Sequence, residues 1–173
     1  LVFLHEGLGS LGLWRDFPDR VCAQLGCRGL VYSRYGYGLS TIRPQEEHWP
    51  ADYLHHHARE VLPALFEALG IDTQADRPVL FGHSDGGTIA WLYASLHPDQ
   101  VAGIVVAAPH IFVEDITLHG IRQARAAFQE TDLRKRLALY HTSVDSAFYG
   151  WNDVWLSAAF QDFNIEAELA AIQ

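Results

Sequence analysis

Four short apolar runs along the chain have the length of buried β-strands. They cover residues 1–4, 29–32, 78–81 and 101–107, and each is followed by glycine or polar residues. Continuous apolar runs of this length are typical of strands that are covered on both faces, as in parallel sheets. We therefore predict a mostly parallel β-sheet.

Between these runs, apolar residues recur at helical spacing. The stretches concerned are residues 14–25, 52–69 and 86–96, so strands and helices alternate over the first 109 residues. This alternation predicts βαβ units, in which helices flank the sheet. The fold class that follows is α/β.

The pattern changes from His110 onward. Helical periodicity continues without any strand-like run in between, over residues 116–128, 132–141 and 146–160. We therefore predict two regions, an α/β core over residues 1–109 and a helical cap or lid over residues 110–173.

Composition and charge narrow the choice of partners and compartment. A net charge of −9 disfavours nucleic acid and anionic membranes as partners. No apolar run approaches the roughly 20 residues of a membrane span, and the first residues lack a signal-peptide pattern. We expect a cytoplasmic protein. The chain has no methionine and starts inside an apolar run, so we also expect a piece of a longer protein.

The clearest chemical signal is the segment Gly82-His83-Ser84-Asp85-Gly86, which follows one apolar run and opens an apolar helix. A nucleophilic serine needs such a sharp strand-to-helix turn, where side chains in place of the two glycines would collide. The start of the helix offers the backbone N–H of Asp85 to an oxyanion. Ser84 is therefore a candidate nucleophile, and a helix-capping serine is the structural alternative.

Two further glycine-rich loops follow the first two apolar runs. The first contains His5, Glu6 and Gly7, and glycine there lets the backbone approach a substrate closely. The second covers residues 33–40, where Arg34 and two tyrosines could line a pocket or pack in the interior.

The three loops, in this order, resemble the α/β-hydrolase superfamily in its serine-nucleophile, cap-bearing branch. The resemblance covers about the first 110 residues. It implies that Gly7 and Asp85 supply the two oxyanion N–H groups beside the nucleophile Ser84. Glu6 departs from the family, which has glycine at that position, so the identity of the first donor stays open.

The resemblance also implies a substrate pocket between core and cap. Candidate pocket residues are His5, Glu6, His83, Trp151 and Trp155. The two tryptophans fit an apolar acyl pocket or the packing of the cap itself equally well.

The resemblance places the catalytic acid and histidine after later strands, and we expect the matching positions beyond Gln173. Within the chain, His110, Glu114 and Asp115 follow a strand end and could approach Ser84. His55, His56 and His57 are consecutive on a predicted helix, so their side chains point in different directions and no metal site is predicted. No cofactor is predicted either. The incomplete sheet would have open edges that could associate with complementary segments.

The predicted function is hydrolysis of a small-molecule carboxylic ester through an acyl-enzyme on Ser84. One alternative is a carbon–carbon bond hydrolase of the same superfamily. A second is a relative without catalysis, which binds a ligand in the same pocket or is an inactive fragment.

Overall fold

The computed structural model describes residues 1–170 and residue 172. Over these residues the sheet has four parallel strands, in the order β2-β1-β3-β4, which confirms the predicted α/β class. The strands are β1 Val2–Leu4, β2 Leu30–Val31, β3 Val79–His83 and β4 Gly103–Ala107. Because all four run in one direction, the loops that follow them meet at the same edge of the sheet.

Helices flank the sheet. Their bounds are α1 Phe17–Leu25, α2 Tyr53–His56, α3 Leu62–Ala68, α4 Thr73–Asp76, α5 Asp85–Leu96, α6 Asp115–Glu130, α7 Leu133–Leu137, α8 Val144–Leu156 and α9 Glu166–Leu169. Single 3₁₀ turns lie at Leu11–Trp14 and Ala158–Phe160, and a π-helical turn at His57–Val61 joins α2 to α3.

Several predicted helices are shorter or interrupted, for local reasons that apolar periodicity does not contain. The helix expected from residue 14 begins at Phe17, because Arg15 has a positive φ of 52°. The helix expected over residues 146–160 ends at Leu156, where Ser157 turns to an extended backbone. Pro63 follows the π-helical turn, and its ring does not fit a regular α-helical turn.

Helix α5 is the central helix of the molecule. It starts directly after β3, packs on β3 and β4, and buries side chains on nearly every side. Ile89, Leu92 and Tyr93 are all at most 1% exposed. A helix that is covered all round is fixed in place by packing, so the turn at its start is anchored to the core.

Among the described residues after β4, the regular structure is helical apart from one antiparallel bridge between Phe112 and Asn164. Phe128, Val144 and Phe148 form a small apolar cluster of their own. Trp155 and Phe160 instead join the main core together with Tyr53. The two regions therefore share part of their packing, and the division into residues 1–109 and 110–173 stays a prediction.

Two further findings concern membranes and metals. Across the residues that the structure describes, no helix is both long enough and apolar enough to cross a membrane. The same residues contain no group of three or more histidine, cysteine, aspartate or glutamate side chains that could hold a metal ion.

Candidate active site

Ser84 lies on the turn between β3 and α5 in a strained backbone conformation. Its φ and ψ are 52° and −118°, a region that residues other than glycine rarely adopt. The Ser84 N–H donates to the carbonyl of Ala107 at 2.8 Å, and its carbonyl accepts from the Thr88 N–H at 3.1 Å. The strain is therefore held by hydrogen bonds to β4 and to the first turn of α5.

The two glycines around Ser84 have no room for a side chain. A Cβ atom on Gly82 would overlap the carbonyl group of Gly86, and one on Gly86 would overlap the carbonyl oxygen of Leu4. Both obstacles are backbone atoms, which cannot rotate away. The tight approach of β3, α5 and β1 thus explains the glycine spacing.

His110 is the histidine whose ring approaches the Ser84 hydroxyl. Its Nε2 lies 3.4 Å from Ser84 Oγ. Two hydrogen bonds fix its backbone, because the His110 N–H donates to Thr88 Oγ1 at 3.0 Å and that hydroxyl donates to the His110 carbonyl at 2.9 Å. The ring packs edge-on against Trp155, with 4.7 Å between centroids. The imidazole is therefore held beside Ser84 by α5 and α8.

The sequence identified His110 only as a residue that could approach the site. The signal for a closer assignment was its position three residues after β4, which neighbours β3 in the sheet. Burial lowers the pKa of His110 below its ordinary value, although the nearby carboxylates of Asp85 and Glu114 oppose this effect. The ring is therefore neutral near pH 7 and can accept a proton.

The loop after β1 is held by side chains that converge on one carbonyl oxygen. The carbonyl of Glu6 accepts from His5 Nδ1 at 2.7 Å, from the Gly9 N–H at 3.0 Å and from Arg34 Nη2 at 2.8 Å. His5 Nε2 accepts from the Arg34 N–H at 3.0 Å, which assigns the proton of the ring to Nδ1. Burial, followed by the charge of Arg34, keeps the pKa of His5 well below 6.5.

Gly7, the first predicted oxyanion donor, lies directly beneath the indole of Trp151. A Cβ atom on Gly7 would overlap Nε1 of that indole. The obstacle here is a side chain from α8, not backbone. Trp151 therefore lies against the loop that carries Gly7, and its place in the substrate pocket stays a prediction.

Glu6 and His83 contact each other. Glu6 Oε2 lies 3.6 Å from His83 Nδ1, and both side chains are partly exposed. The same oxygen would lie 2.6 Å from a Cβ atom on Gly9, so the Glu6 side chain folds back over its own loop. The departure from glycine at this position thus places a carboxylate near Gly9 and His83.

Asp85, the second predicted oxyanion donor, has a fully buried side chain with polar partners. Its Oδ2 accepts from the Tyr53 hydroxyl at 2.7 Å and lies 3.7 Å from Arg34 Nη2. Burial raises the pKa of Tyr53 well above 10, which keeps the phenol protonated as a donor. Trp155 Nε1 donates to the same phenol oxygen at 3.1 Å.

Sequence reasoning missed this network of Arg34, Asp85, Tyr53 and Trp155. One signal was available, since Asp85 opens an otherwise apolar helix and a buried carboxylate requires charged or hydrogen-bonding partners. Which residues provide them depends on how distant loops meet.

A cavity of 360 Å³ opens beside the network. Arg34 and Tyr53 line it, together with His57 and the aromatic side chains of Tyr35 and Trp49. These residues differ from the five that were predicted for the substrate pocket.

The three consecutive histidines diverge, since His55 faces Glu168 at 3.3 Å and His57 binds the Tyr32 hydroxyl at 2.8 Å.

Two curated proteins are similar to parts of the chain. It is 31% identical over 105 residues to a haloalkane dehalogenase from Mycolicibacterium smegmatis, over 61% of this chain and 32% of that protein. It is 28% identical over 109 residues to a proline iminopeptidase from Lactobacillus helveticus, over 62% of this chain and 35% of that protein. The matches thus span about a third of the length of these relatives.

The fold is also similar to that of solved structures. An alpha/beta hydrolase enzyme named MGS-M2, from a Medee basin deep-sea metagenome library, aligns with a TM-score of 0.67 at 19% identity. The alignment covers 99% of this chain and 66% of that structure. The family described as alpha/beta hydrolase fold matches residues 1–170. This match extends over nearly the whole chain, which therefore belongs to the α/β-hydrolase fold family.

Proposed function

We propose that the protein is a serine hydrolase that cleaves small-molecule carboxylic esters through an acyl-enzyme on Ser84. One observation carries the proposal. Ser84 is held in a strained turn at the start of α5, with its Oγ 3.4 Å from the neutral ring of His110. Strain that is maintained at one polar residue by surrounding hydrogen bonds is characteristic of functional sites.

In the proposed reaction, Ser84 Oγ attacks the ester carbonyl carbon while its proton passes to His110 Nε2. The carbonyl oxygen becomes an oxyanion that accepts hydrogen bonds from the N–H groups of Gly7 and Asp85. Collapse of this intermediate breaks the bond to the alcohol oxygen, which takes the proton from the imidazolium. A water molecule then attacks the acyl-enzyme in the same way, releasing the acid and Ser84.

The names of the two curated relatives refer to different bonds, so the choice of an ester rests on the site. A serine hydroxyl beside a neutral imidazole is suited to attack on an acyl carbon. The N–H group at the start of α5 has no partner within the helix, which leaves it available to an oxyanion. Trp151, whose indole lies over Gly7, supplies an apolar wall beside the site, which fits an ester with an apolar acyl group. Trp155 is 1% exposed and packs in the main core, so it contacts His110 but offers no surface to a substrate.

The nucleophile is tested by labelling the full chain with a fluorophosphonate. We expect Ser84→Ala to abolish labelling and ester hydrolysis. Ser95→Ala, at the far end of α5, is the matched control and should react like the wild type. Labelling that persists in Ser84→Ala would remove Ser84 from its role. Labelling at Ser84 without hydrolysis of any ester would favour the carbon–carbon bond alternative.

The proton acceptor is tested with His110→Gln. If His110 takes the proton, labelling should slow by about 100-fold or more. Because burial lowers the pKa of His110, the wild-type rate should rise with pH to a plateau, with its midpoint below 6.5. A change of less than about tenfold in His110→Gln, or a midpoint above 6.5, would assign the base to another histidine.

A further inference from the structure

We propose that Arg34 is a positioning residue that orients both backbone N–H groups of the oxyanion site. The inference rests on the proposed function, because it assigns a task to Arg34 only if Gly7 and Asp85 bind an oxyanion. Arg34 lies on the loop after β2, a strand that carries none of the candidate catalytic residues. Its role is therefore to be found in what its side chain contacts.

Arg34 is a charged side chain in the interior of the molecule, with 4% of its surface exposed. Burying a guanidinium is costly unless its N–H groups have partners. The partners are the Glu6 carbonyl, the ring of His5 and the Asp85 carboxylate, and the guanidinium also lies 4.9 Å from the centre of the Tyr37 ring. These three polar partners belong to the two segments that carry the proposed oxyanion donors.

The first of these contacts fixes the direction of the Gly7 N–H. Arg34 Nη2 donates to the carbonyl oxygen of Glu6 at 2.8 Å. That carbonyl and the N–H of Gly7 belong to one planar, trans peptide group, so they point in opposite directions. Holding the carbonyl toward Arg34 therefore turns the Gly7 N–H away from Arg34. A charged donor on the carbonyl also polarises the peptide and strengthens its N–H as a donor.

The second contact reaches the residue that supplies the other N–H. The same Nη2 atom lies 3.7 Å from Oδ2 of Asp85, whose side chain is 0% exposed. Tyr53, at the start of α2, donates its hydroxyl to the same oxygen at 2.7 Å. The position of Asp85 at the start of α5 is therefore tied to Arg34 as well as to the helix.

A single nitrogen atom thus bridges the two segments. The spacing between two donors decides whether both reach one oxyanion, since each must lie about 2.7–3.1 Å from the developing charge. The two segments also meet through Glu6 and His83, at 3.6 Å, but both of those side chains are partly exposed. The pairing of β1 with β3 sets the distance between the two segments, and Arg34 is the buried side chain that contacts both of them.

Arg43 offers a matched control within the same loop region. It is buried to the same degree, at 3% exposed, and donates to the carbonyls of Pro44 and Ser146 at 3.0 and 2.9 Å. These contacts tie its loop to α8 and involve neither Gly7 nor Asp85. Replacing Arg43 removes a buried guanidinium of equal size without touching the proposed donors.

The test measures ester hydrolysis and inhibition by a trifluoromethyl ketone for the full chain carrying Arg34→Met, Arg34→Lys or Arg43→Met. We expect Arg34→Met to lower kcat by roughly 100-fold, close to the loss of one oxyanion donor, and to change KM by less than about threefold. Arg34→Lys keeps a charge opposite Asp85 but cannot bridge both segments, so kcat should fall by about tenfold. Arg43→Met should change kcat by less than about threefold.

The inhibitor separates positioning from general damage. A trifluoromethyl ketone forms a tetrahedral adduct with an oxyanion, so its inhibition constant should weaken by the same factor as kcat in the Arg34 variants. Arg34→Met leaves Asp85 as a buried charge without its guanidinium, which could prevent folding. The variant Arg34→Met with Asp85→Asn removes both charges, and its kcat should remain about 100-fold low once thermal unfolding shows a folded protein.

Two failures can be told apart. If folded Arg34→Met and Arg34→Lys keep the wild-type kcat while Ser84→Ala loses labelling, the positioning role of Arg34 is wrong and the proposed function stands. If labelling does not depend on Ser84, the proposed function fails, and the role of Arg34 fails with it. Equal losses in kcat for Arg34→Met and Arg43→Met would also overturn the positioning role.

Discussion

The turn at Ser84 and the loop after β1 form the two halves of the proposed oxyanion site, and they are held in different ways. At the turn, Gly82 and Gly86 press backbone against backbone. In the loop, Gly7 lies under a tryptophan from α8, and the preceding carbonyl is held by Arg34 from the loop after β2. One half is therefore built by backbone contacts among β1, β3 and α5, and the other by side chains from distant parts of the chain.

The difference shows why one half of the site has a sequence signature and the other has a weak one. Backbone contacts allow only glycine, whatever the surrounding side chains are. Side-chain contacts can be replaced by other combinations of similar volume and polarity. The following predictions separate the two kinds of support.

The largest effect is expected for Gly86→Ala. The new Cβ would overlap the Leu4 carbonyl oxygen, and neither β1 nor α5 can move without disrupting the core. We expect a loss of about 4 kcal/mol or more in the free energy of unfolding, seen by urea denaturation or as insoluble protein. Gly120→Ala is the control, since a Cβ there meets no atom within 4 Å. It should stabilise α6 by about 0.5–1 kcal/mol.

Gly7→Ala should cost less, because its obstacle is a side chain. Overlap with the Trp151 indole should lower the free energy of unfolding by about 1–3 kcal/mol and slow fluorophosphonate labelling. In a Trp151→Ala background the same change should cost less than about 0.5 kcal/mol. A double-mutant cycle measures both losses in the free energy of unfolding. Equal losses in the two backgrounds would show that backbone contacts, and not the Trp151 side chain, exclude a side chain at Gly7.

As the pH falls, the loop after β1 should lose stability at a higher pH than the turn at Ser84. The pKa of folded His5 is well below that of an unfolded histidine, near 6.5, so only the unfolded chain binds this proton as pH falls below 6.5. The contribution of neutral His5 is fully present above pH 6.5. It is lost below that pH by up to about 1.4 kcal/mol per pH unit.

Urea denaturation between pH 5 and 8 measures this slope, and His5→Gln should reduce it. His57→Gln is a matched control, because burial also lowers the pKa of His57 while its ring hydrogen-bonds to the Tyr32 hydroxyl instead of the Glu6 carbonyl. Hydrogen exchange near pH 5.5 should quicken at residues 7–9 in the wild type and in His57→Gln, relative to residues 85–88. An equal rise in the exchange rates of both segments would show that the loop and the turn are not stabilised separately.

The smallest effect is expected from relieving the strain at Ser84. Ser84→Gly and Ser84→Ala both remove the hydroxyl, but only glycine adopts a φ of 52° without cost. Ser84→Gly should therefore be more stable than Ser84→Ala by about 1 kcal/mol in urea denaturation. The order should reverse at Ser95, inside α5, where glycine is less stable than alanine by about 1 kcal/mol. Equal stability of the two Ser84 variants would mean that the turn stores no strain.

The sequence by itself determined the parallel sheet and the turn at Ser84. Apolar runs of strand length predicted the strands, although β4 is partly exposed, with Val105 48% exposed. The spacing of Gly82, Ser84 and Gly86 predicted the turn, in which Gly82 faces the nearby Gly86 and Gly86 faces Leu4 on β1. Both patterns can be read from short stretches of the sequence. The positions of β1 to β4 and the start of α5 follow from them.

Only the tertiary structure decided which side chains surround the turn. The approach of His110 to Ser84 depends on β4 lying beside β3. Thr88 holds the backbone of His110, and Trp155 packs against its ring. Arg34 contacts Glu6, which is 28 positions away in the chain, and Asp85, which is 51 positions away. Such contacts are set by the packing of the whole chain, because no local pattern of hydrophobic and polar residues encodes which distant loops will meet.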